Sequence, residues 1–80
     1  MSVTIIFLGP LADIANRQEL EAAGPLDWAG LLTAVGPDVA REIQADRVNV
    51  ACSGSVLPDK KSLQAKDGDE IALLPPVSGG

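Results

Sequence analysis

The sequence has no histidine and only one cysteine, Cys52, and these absences exclude several kinds of chemistry. A single cysteine cannot form an intramolecular disulfide, and without histidine its thiol lacks the commonest activating base. The chain also contains no phosphate-binding loop and no pairing of residues suited to general acid–base catalysis. We therefore expect a protein that serves as a co-substrate rather than a catalyst and binds no cofactor or metal itself.

Basic residues and long apolar runs are also scarce. Six lysines and arginines stand against eleven aspartates and glutamates, so the formal net charge is −5. Because an acidic surface repels phosphate backbones, we expect no nucleic-acid partner and favour docking onto basic patches of other proteins. The apolar start is too short for a signal peptide and lacks a basic flank, and no stretch is long enough to span a bilayer. These features predict a cytoplasmic protein without a membrane partner.

What the chain does contain is enough for one small folded domain. It has 80 residues, of which 46% are hydrophobic, so it can build a modest core without metal or disulfide bonds. The composition and the proline pair Pro75-Pro76 predict a domain at residues 1–74 and a separate, extended tail at residues 75–80.

Apolar and β-branched stretches bounded by turn signals predict five strands. Their predicted ranges are 3–8, 18–22, 47–53, 55–57 and 69–74. Alternation places Ile6 and Leu8 on one face of the first strand, and Ala72 and Leu74 on one face of the last. Since both faces of the first strand are largely apolar, either the sheet is buried on both sides or its second face meets a partner.

One main helix is predicted between residues 28 and 35. Asp27 precedes it as an N-cap, and Trp28 begins an apolar stripe at helical spacing that is assigned to the core. Asp38 is predicted to cap a second short helix, and residues 11–16 form a loop or a short helical turn. The order strand, strand, helix, strand, strand, strand predicts an α+β protein with the β-grasp fold. In that fold, the first and last strands are parallel neighbours in a mixed sheet of four or five strands, with one main helix on one face.

The tail differs from the rest of the chain. Pro75-Pro76 lacks backbone N–H groups and has fixed φ angles, so the chain leaves the sheet as an extended arm. Val77-Ser78 is small, and Gly79-Gly80 has no side chains, so the arm can enter a narrow channel and present the terminal carboxylate at its tip. A carboxylate is ionised at neutral pH and is a poor electrophile. To react, it must be activated, most simply as an acyl-adenylate that a separate enzyme makes from ATP.

The C-terminal segment, residues 67–80, resembles the small, sulfur-carrying subunits of molybdopterin synthase, in the MoaD/ThiS superfamily of ubiquitin-like sulfur carriers. The shared pattern is an acidic turn around glycine, a short apolar strand, Pro-Pro-Val, a small hydroxyl residue and terminal Gly-Gly. Length, element order and the first strand agree too. The sequence departs from commoner members at Cys52-Ser53-Gly54, where many have valine-asparagine-glycine, and at Leu8 and Leu74, where relatives carry aromatic residues.

The resemblance implies a specific role for the tail. An adenylyltransferase resembling the ubiquitin-activating enzymes would adenylate Gly80, and a donor such as a cysteine desulfurase or rhodanese would supply the sulfur. Gly80 would then carry a thiocarboxylate, Gly79 would allow threading, and residues 75–78 would line the insertion channel of the large synthase subunit in a heterotetramer. There the sulfur would pass to cyclic pyranopterin monophosphate. The residues implied in channel contact are Pro75, Pro76, Val77 and Ser78.

Residues outside the tail are each assigned either a binding role or a purely structural one. Ile6, Leu8, Ala72 and Leu74 are predicted to form an apolar docking patch if their strands are neighbours. Cys52 is assigned to the core because free cysteine is among the most buried residue types. Turn chemistry is the preferred explanation of the acidic residues Asp67, Asp69 and Glu70. A solvated face is expected for the lysines Lys60, Lys61 and Lys66.

Several functions remain open on the sequence alone. A related carrier could feed thiamine, tRNA thiolation or cysteine synthesis. A ubiquitin-like modifier would join its C-terminal glycine to lysines, and a plain interaction module would leave its tail idle. The sequence does not identify which pathway is fed.

Overall fold

The computed structural model describes residues 2–76 of the chain. Helices are found at α1 (Pro10–Ala15), α2 (Trp28–Val35) and α3 (Pro37–Ile43), and a 3-10 turn at Lys60–Ser62. The strands are β1 (Ser2–Phe7), β2 (Glu19–Ala23), β3 (Leu26–Asp27), β4 (Asn49–Cys52), β5 (Ser55–Val56), β6 (Gln64–Ala65) and β7 (Glu70–Leu74).

Five strands form a mixed sheet in the order β2-β1-β7-β4-β5. The first and last strands are parallel neighbours at its centre, with Ile5 opposite Ile71 and Ile6 opposite Ala72. The other pairings, β1 with β2, β7 with β4 and β4 with β5, are antiparallel. This topology confirms the predicted β-grasp fold.

The core lies on one face of the sheet. Ile5 and Ile71 of the two central strands and Leu31 and Ile43 of the helices are fully buried, at 0% exposure. Burying a side chain of this size stabilises a fold by about 1.5–3 kcal/mol, so these residues account for much of the packing free energy. Leu63, which follows the 3-10 turn, is 2% exposed and closes the core.

The helical layer follows the prediction except at the start of α3. The main helix, α2, spans Trp28–Val35 as predicted, and the shorter helices α1 and α3 also contribute to the core cluster. Asp38 does not cap α3: the helix begins at Pro37, with Gly36 at the N-cap position. Proline suits the first helical position because its fixed φ is already helical and its missing N–H needs no partner. Asp38 lies within the first turn, where its charge favours the positive end of the helix.

The predicted start of α2 is confirmed. Asp27 Oδ1 accepts a hydrogen bond from the Gly30 backbone N–H at 2.8 Å, and Gly36 ends the helix with a φ of 88°. Trp28 packs against the core but is only half-buried, because it lies at the edge of the apolar stripe.

A second sheet was not predicted. β3 and β6 pair antiparallel over two residues each, with Leu26 opposite Ala65. Strands this short carry no recognisable alternation, so only the folded chain brings them together. Between residues 2 and 76, no helix has the length and apolar character needed to cross a membrane.

Candidate functional site

The tail leaves the main sheet from its central strand, β7. We call its first two residues, Pro75 and Pro76, the root of the tail. β7 lies between β1 and β4 and ends at Leu74, and the next residues, Pro75 and Pro76, have no regular secondary structure. Neither proline can donate a ladder hydrogen bond, so the strand ends where the sequence predicts. A central strand is held by neighbours on both sides, so the point from which the tail departs is well supported.

Gly9 lies against this root. A Cβ atom placed on Gly9 would sit 3.4 Å from Cγ of Pro75, and the glycine has φ 55° and ψ −133°, a combination open almost only to glycine. A cleft of about 180 Å³ beside it is lined by residues of α1, including Leu11 and Ile14, and by both prolines. The loop after β1 therefore helps to position the first residues of the tail.

The end of the tail that is predicted to be reactive lies outside the described residues. Val77, Ser78, Gly79 and Gly80 were predicted to carry the channel contacts and the thiocarboxylate, and those assignments stay predictions.

The predicted docking patch lies on the outer face of the sheet, opposite the helices. Ile6 and Ala72 are directly opposite each other in the β1–β7 pairing, and Leu74 lies two residues further along the same face. All three are partly exposed, whereas their neighbours Ile5 and Leu73 are fully buried on the inner face. Leu8 follows β1, is 39% exposed and lines the same cleft as Ile6.

The sequence prediction missed the part of this face that lies on β4 and β5. Ala72 is opposite Ala51, and Ala51 is opposite Val56, so one apolar row crosses four strands from Ile6 to Val56. Val56 is 56% exposed. The available signal was the Ser53-Gly54 turn, whose φ values of 51° and 88° match a two-residue hairpin that sets the β4–β5 register. We call Ile6, Leu8, Ala51, Val56, Ala72 and Leu74 the apolar face.

Cys52 is less buried than predicted. It lies opposite Ile71 on the core side of β4, but at the end of the strand, and is only half-buried. Its Sγ lies 3.8 Å from Asp69 Oδ2. Burial raises the pKa of the Cys52 thiol, and the negative charge of Asp69 raises that pKa further. The group is therefore a neutral thiol near pH 7, which is unfavourable for a nucleophile.

Asp69 organises the turn that precedes β7. Its Oδ2 accepts a hydrogen bond from the Lys66 backbone N–H at 2.8 Å, and its Oδ1 accepts one from Ser53 Oγ at 3.0 Å. These bonds, the one from Lys66 first, lower the pKa of the Asp69 carboxyl. Gly68 takes the positive φ of 91° that the turn requires. The turn role predicted for this aspartate is confirmed. Within residues 2–76, no group of three or more potential metal ligands is close enough to hold an ion.

Lys60 does not belong to a fully solvated face, contrary to the prediction. Its Nζ donates hydrogen bonds to the carbonyl oxygens of Ala45 and Val48, the latter at 2.8 Å. Burial lowers the pKa of the Lys60 ammonium. Both carbonyls lie in the irregular segment between α3 and β4; Ala45 O also accepts a hydrogen bond from the Val48 backbone N–H at 3.0 Å, and the lysine supplies a further donor to each carbonyl.

Comparison with known proteins places the chain in a family. The sequence profile of the ThiS family matches residues 5–80. No curated protein matches the chain.

Solved structures with the same fold include small archaeal modifier proteins and a subunit of a molybdopterin-converting factor. The crystal structure of SAMP1 from Haloferax volcanii is 28% identical, with a TM-score of 0.72 and 100% of each chain covered. A chain in the complex of subunits 1 and 2 of the molybdopterin-converting factor from Helicobacter pylori is 25% identical, with a TM-score of 0.67 and 100% coverage of both chains. The BexX/CysO complex from Amycolatopsis orientalis contains a chain that is 22% identical, with a TM-score of 0.73 and coverage of 98% of this chain and 99% of that one. On the match of the family profile to nearly its whole length, the chain belongs to the ThiS family, within the MoaD/ThiS superfamily of ubiquitin-like sulfur carriers.

Proposed function

We propose that this protein is the sulfur-carrying small subunit of a molybdopterin synthase, with its sulfur held as a thiocarboxylate on Gly80. The observation that carries the proposal is the continuity of β7 with the tail: the central strand runs directly into Pro75-Pro76 and then the terminal Gly79-Gly80. Membership of the ThiS family and the likeness to the molybdopterin-converting factor of Helicobacter pylori support it.

The chemistry at Gly80 needs two partners before the sulfur is delivered. On an adenylyltransferase, the terminal carboxylate attacks the α-phosphorus of ATP, the bond to pyrophosphate breaks, and an acyl-adenylate forms. The outer sulfur of a persulfide on a donor such as a cysteine desulfurase or rhodanese then attacks the carbonyl carbon, the bond to AMP breaks, and an acyl disulfide to the donor forms. A second thiol attacks the donor's sulfur of this disulfide, so a donor disulfide forms, the sulfur–sulfur bond to the acyl group breaks, and the thiocarboxylate is released. ATP is therefore a substrate of the activating enzyme and is not held by this chain.

Delivery requires a third partner, the large synthase subunit. The apolar face would seat against this subunit while the residues from Pro75 to Ser78 line its channel and Gly79 threads through the narrowest part. Since the apolar face and the root of the tail share β7, docking at the face would also aim the tail. The thiocarboxylate sulfur is then the nucleophile toward cyclic pyranopterin monophosphate.

Intact-mass measurement tests the loading step. The protein is incubated with ATP, an adenylyltransferase of this family and a sulfur donor, and we expect a mass increase that corresponds to replacement of one oxygen by sulfur. A variant lacking Gly80 is the matched control and should stay unloaded. Absence of the shift in the wild-type protein, with an active adenylyltransferase, would contradict a carrier role.

Delivery is tested separately. The loaded protein is mixed with a large synthase subunit and cyclic pyranopterin monophosphate, and molybdopterin is measured after oxidation to its fluorescent derivative. Product formation supports the molybdopterin pathway. Loading without product would assign the carrier to another acceptor, such as one in thiamine, thiolated tRNA or cysteine synthesis.

A second candidate is a ubiquitin-like modifier, favoured by the likeness to SAMP1 over the full length of both chains. In that role, the activated carbonyl of Gly80 would be attacked by a lysine amine of another protein rather than by sulfur. Conjugates that appear with ATP and the adenylyltransferase, and that disappear when Gly80 is removed, would support this role.

A further inference from the structure

The outer face of the sheet is chemically different at its two ends. Thr4 lies opposite Glu21 on one side and opposite Glu70 on the other, so it is flanked by two glutamates, one in the middle of β2 and one at the start of β7. Both glutamates are exposed. At the other end of β7, Leu74 leads into the tail. The two glutamates and the apolar residues beside the tail therefore lie on the same face of the sheet, at opposite ends of it. We call Glu21 and Glu70 the acidic end.

The spacing of a sheet sets the size of this arrangement. Neighbouring strands lie about 4.8 Å apart, so the Cα atoms of Glu21 and Glu70 are about 10 Å apart across β1. Along β7, the four-residue step from Glu70 to Leu74 spans about 13 Å. The row between these ends runs through Ile6, whose neighbour on β2 is a third exposed glutamate, Glu19.

No basic side chain neutralises the acidic end from within the sheet. None of the six lysines and arginines lies in a strand of the described chain. The nearest basic residues along the chain, Arg17 and Lys66, lie in loops four residues before Glu21 and Glu70, and both glutamates are exposed to an approaching protein.

We propose that the acidic end, Glu21 and Glu70, receives lysine or arginine side chains of the large synthase subunit and so fixes the direction in which that subunit docks. The inference rests on the proposed function. Apolar contact is non-directional, so the apolar row alone would accept a partner in more than one orientation. Opposite charges at one end remove this ambiguity, because the wrong orientation leaves them unpaired. The partner should therefore carry basic residues about 13 Å from the mouth of its tail channel.

Edge protection is the competing explanation for these glutamates. Glu19 and Glu21 lie on β2, which is an edge strand, and charges on edge strands discourage aggregation. Glu70, however, lies on β7 in the interior of the sheet, where both neighbours are already paired. A charge at that position protects no sheet edge, so edge protection does not explain Glu70, whereas docking explains Glu70 and Glu21 together.

The test measures binding rates between variants of the full chain and a molybdopterin synthase large subunit. Glu21→Lys and Glu70→Lys should each lower the association rate at low salt, the double variant by roughly tenfold, with a flatter dependence on salt and a nearly unchanged dissociation rate. Asp38→Lys is the matched control for the single variants: it makes the same charge change on α3, on the helical side of the sheet, and should bind almost like wild type. Circular dichroism checks folding, and Glu21→Gln and Glu70→Gln, which add no charge, should show smaller decreases.

The possible outcomes separate the two proposals. Slower association of the lysine variants, with the Asp38→Lys rate close to wild type, supports docking through the acidic end. Equal slowing by Asp38→Lys, or unchanged rates in all variants, would overturn this inference and leave the proposed function standing. A wild-type protein that does not bind the large subunit would overturn both.

Discussion

At the residue scale, a few polar side chains hold the turns that position the sheet. Asp69 joins the turn before β7 to the β4–β5 hairpin through Lys66 and Ser53. Lys60 bonds to the segment between α3 and β4. The turn role of Asp69 was predicted, but its bond from Ser53 and the bonds of Lys60 could not be predicted from the sequence pattern, because these partners are distant in sequence or lie in irregular backbone.

The depressed pKa of Asp69 predicts a loss of stability in acid. Because the folded state lowers this pKa, the ionised carboxylate stabilises the fold above the unfolded value of about 3.9, and the contribution is lost as the pH falls through the folded pKa. Urea unfolding should show that Asp69→Asn destabilises the protein near neutral pH and makes its stability less dependent on pH below about 4. Asp67→Asn, in the same turn, is the control. An acid dependence identical to wild type in Asp69→Asn would argue against this role.

Replacing Lys60 should destabilise the fold more than replacing its neighbour. Lys60→Met keeps the aliphatic stem but leaves the carbonyls of Ala45 and Val48 without this donor, at a cost of about 1 kcal/mol after allowance for partial exposure. Lys61→Met should change the free energy of unfolding far less. Equal effects in chemical denaturation would contradict a specific role for Lys60.

Cys52 should be dispensable for sulfur loading. Burial and Asp69 both raise the thiol pKa, so little thiolate is available near neutral pH. Under the proposed function, Cys52→Ala should fold and be loaded with sulfur at Gly80 to the same extent as the wild-type protein, as measured by intact mass. A folded variant that cannot be loaded would show that the thiol takes part.

At the scale of helices and strands, the prediction from the sequence agrees best with the structure for α2. The Asp27 cap, the helical apolar stripe and the glycine stop lie within ten residues, so the chain segment itself defines the helix. α3 begins one residue before the predicted cap because proline at the first helical position outweighs the preference of Asp38.

The α2 cap gives a prediction limited to stability. Asp27→Ala removes the acceptor for the Gly30 N–H and should cost about 1 kcal/mol in the free energy of unfolding. Asp27→Ser keeps an acceptor and should recover most of this loss. Thermal unfolding measures both, and sulfur loading of the folded proteins should be unchanged.

At the scale of the whole molecule, the two faces of the sheet have different roles. The helices pack on the inner side of the sheet and enclose the core. The outer side carries the residues of the apolar face, which lie beside the root of the tail. This division predicts that the fold is retained when the exposed residues of the outer face are changed, so that mutation can separate binding from stability.

Leu74 tests this separation. Leu74→Asp places a charge on the outer face next to the tail and should weaken binding to the large synthase subunit by about 2 kcal/mol or more, as expected for a contact near the centre of an interface. The fold should be retained, because Leu74 is only half-buried. Val56→Asp, at the far end of the apolar row, should weaken binding less. Unchanged affinity in folded Leu74→Asp, measured by calorimetry, would refute docking through this face.

The amino-acid sequence by itself determined the order of the main elements, the α2 cap, the alternation of core and surface, and the chemistry expected of the Gly79-Gly80 end. These features depend on periods of two to four residues and on the properties of single residue types, which a local pattern contains. Only the tertiary structure decided that Ile6 lies beside Ala72, that the apolar row continues to Val56, and that Glu21 and Glu70 flank one end. It also decided the β3–β6 pairing and the half-burial of Cys52. The physical reason is that strand register and side-chain cover depend on residues far apart in the chain, whose positions are set only when the helices and strands pack around one core.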